Sequence, residues 1–425
     1  MASLVTSKFR VHNAQQFAEA FSETSNTVMY LFIGKNTTFP NDNSPPTPVN
    51  STANIEYTPW RDMYAAKRIT TSDVTHAIER YDWTTSTVYD QYDDQDTNLL
   101  EDDFYAMTDE YNVYKCLFNA GATASTTKPT GVSTSPFTTA DGYIWKYMYT
   151  VTTAKALKFL TNDYIPVQTL ASDDGTDQWD VQAAAVDGGI HVIKVTAGGS
   201  GYATAPAVTI TGDGTGATAN STITANVVTS VTITAAGTGY TRASVSFASG
   251  AATANAIISP QGGHGSDAVE ELGGKFIMLN VRLDGNESNT FSVANEFRQV
   301  GIVRDPYLYG TTTRAVASSF RQSFKYQLSS ISGTFTVDET ITSGSNTASL
   351  IEFTTPSIFT TLPLNLPFAN TATVTGGTSG ATGTIAAITT PGLKPYSGDI
   401  IYVENRVPIS RADDQIEDVK LIIQF

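Results

Sequence analysis

Residues 186–262 contain almost only Gly, Ala, Thr, Ser, Val and Ile, and this composition limits the stretch to short strands joined by tight turns. A repeat runs through it, since Gly201-Tyr202 recurs as Gly239-Tyr240 with a period of 38 residues. Each copy consists of a β-branched strand, a glycine turn closed by an aromatic residue, and a second strand. Because one copy cannot bury a hydrophobic face alone, we predict that the two copies pair or stack as a small inserted β-domain.

A second block of similar composition covers residues 331–392, where DETITSGSNTASL (338–350) weakly resembles NTATVTGGTSGAT (370–382). Thr makes up 64 of the 425 residues and charged residues only 16%, which favours strands over helices. We therefore predict a mainly β protein with a β-sandwich core, a few short helices and two inserted small β-repeat domains. The predicted division is 1–185 (core, first part), 186–262 (first insertion), 263–330 (core, second part), 331–392 (second insertion) and 393–425 (C-terminal core strands).

Apolar and aromatic runs in the mixed segments predict the core strands. These runs are VMYLFIGK (28–35), VYKCLF (113–118), YIWKYMYTV (143–151), KFIMLNVRL (275–283), NEFRQVGIVRDP (295–306), DIIYVENRVPI (399–409) and DVKLIIQF (418–425). Apolar residues at helical spacing predict helices over 11–23, with Asn13 as N-cap, and near 72–81, with Ser72 as N-cap.

The charge balance excludes several classes of function. With 25 Lys and Arg against 41 Asp and Glu, the net charge is −16, so binding of nucleic acid through a basic face is not expected. No apolar run reaches about 18 residues, so no membrane segment is expected. The first ten residues lack the apolar stretch of a signal peptide. The single cysteine and four scattered histidines predict no disulfide, no metal cluster and no cofactor.

Nine carboxylates crowd residues 90–110, and three interpretations remain open for them. The sequence favours a solvated or partner-facing acidic surface, with a loose cation site or a catalytic carboxylate pair as alternatives. No glycine lies in this stretch, so the turning residue of an EF-hand loop is missing. The carboxylates are Asp90, Asp93, Asp94, Asp96, Glu101, Asp102, Asp103, Asp109 and Glu110.

The glycine turns do not predict a nucleotide site. Gly212-x-Gly214-x-x-Ala217 matches a relaxed dinucleotide fingerprint, but the residues that follow have a β pattern, whereas pyrophosphate binding needs a helix N-terminus there. The turns at Tyr202 and Tyr240 carry Tyr where a calcium-binding nonapeptide repeat needs Asp. We predict that all of these turns are structural.

The nucleophile and base candidates are also weak. Cys116 lies in an apolar strand, which predicts a buried, inert thiol. His264, in GGHGSD (262–267), has Ser266 and Asp267 close by, but a catalytic triad is assembled by the fold rather than within one short peptide. We predict a hydrogen-bonded turn histidine there, and a structural or exposed His76 on the second helix. The sequence predicts no enzyme.

Four aromatic residues recur at every second position of the 143–151 run, so a regular strand would present them on one face. Packing in a core or at a subunit interface is the favoured interpretation. A platform that stacks sugars or bases is the alternative. These residues are Tyr143, Trp145, Tyr147 and Tyr149.

Taken in order, short pieces of the mixed segments resemble the baseplate wedge protein of T-even-like contractile-tailed phages, the gene 8 product type. The most specific is YVENRVPI (402–409), which is long, polar and not of low complexity. The resembling pieces are VTSKFR (5–10), NTVMYLFIGK (26–35), RYDW (80–83), VYKCL (113–117), DGYIWKYMYTV (141–151), NDYIPV (162–167), FRQVGIVRDP (297–306), GDIIYVENRVPI (398–409) and DQIEDVKLIIQF (414–425). The two Gly/Thr-rich blocks have no counterpart in the family.

The resemblance implies a structural virion subunit without catalytic residues, located in the tail baseplate and assembled in the host cytoplasm. It implies a homodimer in each of six wedges, with the other wedge subunits as partners. Core or interface positions are then expected in the 143–149 row and at Phe297, Arg298, Tyr402, Glu404, Asn405 and Arg406. A carbohydrate- or receptor-binding tail adhesin that uses the β-insertions is the alternative, and a glycan-cleaving tail enzyme is a third hypothesis.

Overall fold

The protein is mainly β, with antiparallel sheets in a sandwich-like arrangement and a few short helices, which confirms the predicted fold class. The computed structural model describes residues 4–23, 27–293 and 295–425. The chain forms two compact units. The first contains the residues up to Gln16, Thr75–Met278 and Ile422–Phe425, and the second contains Phe17–Val74 and Leu279–Leu421.

Helical segments in the described ranges are short. They are α1 (Ser7–Glu19), α2 (Thr58–Asp62), α3 (Thr153–Phe159), α4 (Asp177–Ala183) and α5 (Ala268–Glu271), with a π-helical turn at Ala53–Tyr57 and 3₁₀ turns at Thr71–Asp73 and Leu99–Glu101.

Strands account for most of the regular structure. The strands before the first insertion are β1 (Met29–Gly34), β2 (Met63–Arg68), β3 (Val74–Glu79), β4 (Tyr105–Met107), β5 (Asn112–Phe118), β6 (Phe137–Thr138), β7 (Ile144–Thr150) and β8 (Tyr164–Val167). The first insertion contains β9 (Ile190–Ala197), β10 (Val208–Gly212), β11 (Thr215–Thr224), β12 (Val227–Thr238), β13 (Ala243–Phe247) and β14 (Thr253–Ile258). The rest are β15 (Phe276–Asp284), β16 (Glu296–Arg304), β17 (Ser319–Arg321), β18 (Phe324–Ser332), β19 (Thr340–Ser343), β20 (Asn346–Thr354), β21 (Ser357–Thr360), β22 (Thr373–Gly376), β23 (Thr382–Thr389), β24 (Asp399–Ser410) and β25 (Ile416–Gln424).

The first unit is organised by the sheet β4-β5-β7-β6, which buries side chains on both faces. One face carries an aromatic cluster around Tyr114 and Trp145. The opposite face carries Val113, Leu117 and Met148, which pack with residues of β8, β9, β14 and α5. A strand buried on both faces needs apolar residues at nearly every position, which explains the continuous runs of β5 and β7.

The first insertion pairs its two repeat copies, as the sequence predicted. Strand β9 pairs antiparallel with β12, and Ile193 lies opposite Val231, which is its own equivalent 38 residues later. Strand β10 pairs in the same way with β13. Apolar residues of these strands form one shared core around Ile190, Ile193 and Tyr240.

The repeated Gly-Tyr turns are structural. Gly201 and Gly239 have φ of +82° and +74°, a region that glycine adopts without steric cost. Both tyrosine rings are buried, and the Tyr202 and Tyr240 hydroxyls accept hydrogen bonds from the backbone amides of Ala252 and Ala217 at 2.9 and 3.4 Å. Strand β11 follows β10 after a short turn, so no helix follows Gly212 and the dinucleotide interpretation is excluded.

The second Gly/Thr-rich block forms most of a closed six-stranded barrel in the second unit, in the order β18-β21-β20-β19-β22-β23. The barrel begins at Phe324, a few residues before the predicted boundary at 331, because β18 closes it by pairing with both β21 and β23. The two weak repeat copies form the hairpins β19–β20 and β22–β23, which meet where β19 pairs with β22. The interior of the barrel is filled by apolar side chains around Phe324, Tyr326 and Ile341.

The predicted helix near 72–81 is wrong. Val74–Glu79 form strand β3, which pairs with β8 from His76 opposite Val167 to Glu79 opposite Tyr164. The capping pattern instead closes a single 3₁₀ turn, in which Thr70 and Asp73 bond reciprocally, so Ser72 is not an N-cap. Pairing with a strand almost 90 residues away outweighs the local helical spacing. Helix α1 begins at Ser7 rather than near Asn13, which is therefore an interior residue of the helix.

We expect Tyr202→Phe to destabilise the first insertion by about 1–2 kcal/mol, because the Ala252 amide loses its hydrogen-bond acceptor. Hydrogen exchange of peptides from 190–258 during urea unfolding measures this loss. Tyr240→Phe should cost less because its bond is longer, and Tyr111→Phe, at a side chain 41% exposed, is the control. Equal stability of the 202 variant and the control would contradict this role.

Candidate functional site

Three of the apolar runs that predicted core strands, 28–35, 295–306 and 399–409, lie side by side in the second unit. Its five-stranded sheet has the order β17-β2-β1-β16-β24, so β1, β16 and β24 are consecutive strands. Gly301 of β16 lies opposite Phe32 on one side and Val403 on the other. Residues separated by more than 260 positions in the sequence therefore lie side by side in one sheet.

Close packing across these strands requires a glycine at position 301. A Cβ atom there would lie 2.3 Å from Cζ of Phe32 and 2.4 Å from the carbonyl oxygen of Tyr402. Strand β1 is buried along its whole length, which suits its run MYLFIG. Each strand therefore depends on residues of its neighbours for its own packing.

Arg298 of β16 is a buried cation that ties a long loop to this sheet. Its guanidinium donates to the carbonyl oxygen of Asn36 at 2.7 Å, to Asp42 Oδ2 at 3.0 Å and to Glu296 Oε2 at 2.6 Å. The hydrogen bond from Arg298 lowers the pKa of the Asp42 carboxyl. The amide of Asn36 donates to Asp338 Oδ1 and to the carbonyl oxygen of Leu350, so the same loop also reaches the barrel. The neighbouring Phe297 is fully buried.

The YVENRVPI segment divides its polar side chains between two faces of β24. Glu404 accepts from the Tyr402 hydroxyl at 2.9 Å and from Arg406 Nε at 2.8 Å, and Arg406 also donates to the carbonyl oxygen of Lys420. Burial and the bond to Glu404 raise the pKa of Tyr402. Asn405 points the other way, accepting from Gln299 at 2.8 Å and donating to the carbonyl oxygen of Pro46.

Strand β24 is an edge strand with exposed apolar side chains. Within the described residues β16 is its only strand neighbour. Ile401 and Val407 are 39% and 51% exposed. An edge strand that presents apolar residues is a typical contact site for another chain.

The aromatic row of β7 lies inside the first unit. Tyr143, Trp145 and Tyr147 are each at most 1% exposed and pack in one cluster, where Tyr143 stacks on Trp145 with centroids 5.5 Å apart. Tyr149 is equally buried but belongs to the cluster on the opposite face, because a β-bulge next to Met148 shifts the register. With all four rings buried, this row offers no platform for stacking a sugar or a base.

A second buried charged cluster lies in the first unit, on the same face of the sheet as Val113. Lys115 Nζ donates to Glu271 Oε2 at 2.8 Å and to His264 Nδ1 at 3.1 Å, and it lies 4.0 Å from the centre of the Tyr92 ring. Lys146, opposite Lys115 on β7, donates to the carbonyl oxygen of Thr134. Burial lowers the pKa of Lys146 to about 8.

His264 is a hydrogen-bonded turn residue, as predicted, but its partner and its neighbour His191 were not foreseen. The two imidazole rings are 5.5 Å apart, although 73 positions separate them in the sequence. The sequence holds one signal for this cluster, which is a lysine in the middle of each of two apolar strands. Because a buried ammonium group needs hydrogen-bond partners, these lysines indicate that polar residues from elsewhere must pack against them.

The remaining single-residue candidates have structural surroundings. Cys116 is fully buried, and burial raises the pKa of its thiol, which fits the predicted inert cysteine. His76 Nδ1 lies 3.1 Å from the carbonyl oxygen of Gly274. Ser266 bonds to backbone oxygens of its own turn, and Asp267 caps α5 and accepts from Thr169.

The acidic stretch 90–110 is partly neutralised by lysines. Lys194 lies 3.3 Å from Asp93, Lys275 lies 2.6 Å from Glu101, and Lys128 bonds both Asp109 and Glu110. Burial and neighbouring carboxylates raise the pKa of Asp102. No group of three or more His, Cys, Asp or Glu in the described part of the chain is arranged to hold a metal ion. The lysines therefore balance part of the negative charge of this stretch.

No protein-family model matches the chain, and no curated protein sequence matches it. Among the described helices, none combines the length and the apolar character that a membrane crossing needs.

We expect Arg298→Ala to destabilise the second unit by about 2–3 kcal/mol, because it leaves two carboxylates and a buried carbonyl group without their donor. Urea unfolding followed by hydrogen exchange of β16 peptides gives the loss. Arg282→Ala is the matched control, since Arg282 pairs with Asp418 at a side chain 61% exposed and its removal should leave the midpoint almost unchanged. Indistinguishable midpoints for the two variants would show that Arg298 does not organise the unit.

Proposed function

We propose that this protein is a structural subunit of a phage tail baseplate wedge and acts through protein–protein contacts within the contractile-tail injection machine. The proposal rests on which segments of the chain are neighbours in the fold. The resembling segments, scattered along the sequence, come together as β1, β16 and β24 in the second unit. In the first unit two more of them pair as β5 and β7.

The packing of the matching segments against one another supports the resemblance. In an unrelated fold, short matching pieces would have no reason to be neighbours. Here the pieces supply one another's partners, as in the contacts of Gly301 with Phe32 and Tyr402, and of Asn405 with Gln299. The two blocks outside the resemblance instead have hydrophobic cores of their own. The insertion of such independently packed blocks into surface loops costs little loop-closure entropy.

The buried charged side chains that could take part in catalysis are instead bonded to other protein groups, which supports a structural role over an enzymatic one. Arg298, Lys115 and Glu271 bond to other protein groups in buried positions. The exposed apolar residues of β24 suit contacts with a neighbouring subunit or a second copy of the chain. In this proposal the chain resides in the virion, assembles in the host cytoplasm and has other wedge subunits as partners. Its contacts hold the baseplate in one state and repack when the tail contracts.

Electron microscopy and mass spectrometry of purified tails test the proposal. The chain is expected at the baseplate, with density that accommodates β1, β16 and β24 as neighbours. Tails that are complete without this chain would refute the proposal.

A competition experiment tests whether the β24 edge makes assembly contacts. Val407→Glu places a charge on an exposed apolar position of β24 and should reduce incorporation into tails at least about tenfold, because an unpaired charge in an apolar contact is strongly disfavoured. Leu157→Glu, at an 80% exposed position on α3, is the control for a surface charge outside the resembling strands. Equal incorporation of both variants would remove β24 from the contact surface.

One observation favours carbohydrate binding as a second candidate function. In the first unit a cleft of about 1030 Å³ lies between the β9–β12 sheet and the loops of 118–144. Its walls carry hydroxyl, amide and carboxylate groups, and such groups are suited to a neutral sugar. They belong to Asp90, Gln91, Asp93, Asp96, Asn119, Ser135, Thr138, Ser230, Thr232 and Thr234.

A glycan array probed with the full chain tests this second candidate. Thr232→Arg would fill the cleft from an exposed position and should abolish any specific signal. Thr209→Arg, on the separate β10–β13 sheet, is the control and should leave the signal unchanged. An array without signal, or a signal that survives Thr232→Arg, would exclude this cleft as a carbohydrate site.

A further inference from the structure

The chain enters and leaves the first insertion at one place, a stem made of two adjacent segments. The incoming chain at Asp187–Ile190 lies beside the outgoing chain at Ile258–Gly262. Ser259 N donates to the carbonyl oxygen of Gly189 at 2.9 Å, and Gly262 N donates to Asp187 Oδ1 at 2.8 Å. Ile190 lies opposite Ile258 in the β9–β14 ladder. Any movement of the insertion as a body must therefore act on these two short segments.

Each strand of the stem carries one histidine into the buried cluster. His191 follows the incoming segment and His264 follows the outgoing one, and their rings lie 5.5 Å apart. His264 sits in a tight loop where Gly263 has φ of +95° and where a Cβ on Gly263 would lie 2.5 Å from the backbone of Val186. The His264 loop therefore packs directly against the chain that enters the stem.

The hydrogen bond between Lys115 and His264 sets the protonation state of the imidazole. With Lys115 as an ammonium group paired with Glu271, its Nζ has donors only, so Nδ1 of His264 is the acceptor in this bond and carries no proton. Protonation would replace this bond with a repulsion between two buried cations. Glu271 already bonds Lys115 through Oε2, and its Oε1 accepts from the amide of Gly265 at 2.7 Å.

The surroundings offer an added proton on His264 one buried carboxylate, Glu271, whose Oε2 lies 3.9 Å from Nδ1 and already accepts from Lys115. The groups facing the two rings include two cations and one carboxylate, together with the Tyr92 ring, whose centroid is 4.9 Å from that of His264. The cations are Lys115 of β5 and Lys146 of β7, and the carboxylate is Glu271 of α5. On the cleft side, His191 shares the wall with Lys194 and with Asp90, Asp93 and Asp96.

We propose that this cluster makes the stem a proton-operated hinge, which holds the first insertion against β5 and β7 while both histidines are neutral and releases it below about pH 6. This inference does not depend on the proposed function. Because His191 and Val192 also line the cleft, release of the stem changes the shape of the cleft.

The direction of the pH effect follows from the two histidines. Burial and the neighbouring Lys146 lower the pKa of His191 to about 4, and burial with Lys115 lowers the pKa of His264 well below its usual value. A group whose pKa is lower in the closed state favours that state above its ordinary pKa of about 6.5. The closed stem therefore loses stability as the pH falls from about 6.5 towards 4.

Hydrogen exchange of the full chain at pH 7.5 and 5.0, corrected for the intrinsic exchange rates, tests the hinge. Protection of peptides from 186–196 and 256–267 should fall at pH 5.0 by about 30-fold from His191 alone, and further through His264. Barrel peptides from 324–389, which contain no histidine, should keep their protection. Equal protection of the stem at both pH values would overturn the proposal.

Two glutamine substitutions separate the hinge from a general acid effect. Glutamine does not titrate, and its amide oxygen can still accept from Lys115, so the double variant His191→Gln/His264→Gln should lose the pH dependence of stem exchange. His12→Gln, at an exposed histidine of α1, is the control and should behave as the unmodified chain. If the double variant does not fold, His191→Gln alone should reduce the drop by about 30-fold. An undiminished drop in the folded variant would refute the hinge.

Discussion

Lys115 and Arg298 are cations held almost entirely out of water, and the compact unit around each depends on how that charge is satisfied. An isolated buried charge costs several kcal/mol, so the chain must bring acceptors to it from distant segments. In the second unit the acceptors come from the 36–42 loop and from Glu296. In the first unit they come from His264 and Glu271. Each cation therefore favours one mutual arrangement of segments that hydrophobic packing alone would specify less sharply.

The two Gly/Thr-rich blocks are stabilised without a buried cation of this kind. Their charged content is low, and they are stabilised by strand pairing, by buried aromatic rings and by glycine turns. In the first block Ile193 meets its own repeat equivalent Val231, so a duplicated sequence folds into a paired structure. The second block closes its edge by forming a barrel, which removes the exposed strand edges that such a sequence would otherwise present.

These two kinds of construction fit a protein in which the core sheets outside the two Gly/Thr-rich blocks form a framework. The two blocks are separate modules that the framework carries. The framework includes strands β1, β16 and β24 of the second unit, and the modules have hydrophobic cores of their own. The buried cluster at the stem of the first module is one point where that module shares charged groups with the framework of its own unit, and the Lys194–Asp93 pair is another. A change in protonation there acts on the attachment of the module, while the core of the module is built mainly from aliphatic side chains.

Local patterns in the sequence determined the β character of the chain, the pairing of the 38-residue repeat and most framework strands, because strand propensity and repetition act over short distances. The tertiary structure decided what depends on distant partners. Residues 72–81 have helical spacing, yet they contain β3 because β8 offers a ladder to pair with. Tyr149 alternates with Trp145 in the sequence, but a bulge turns it to the other face. His191 and His264 lie 73 positions apart in the sequence. Their proximity, like the hydrogen bond between Lys115 and His264, arises only in the assembled fold and has no local sequence pattern.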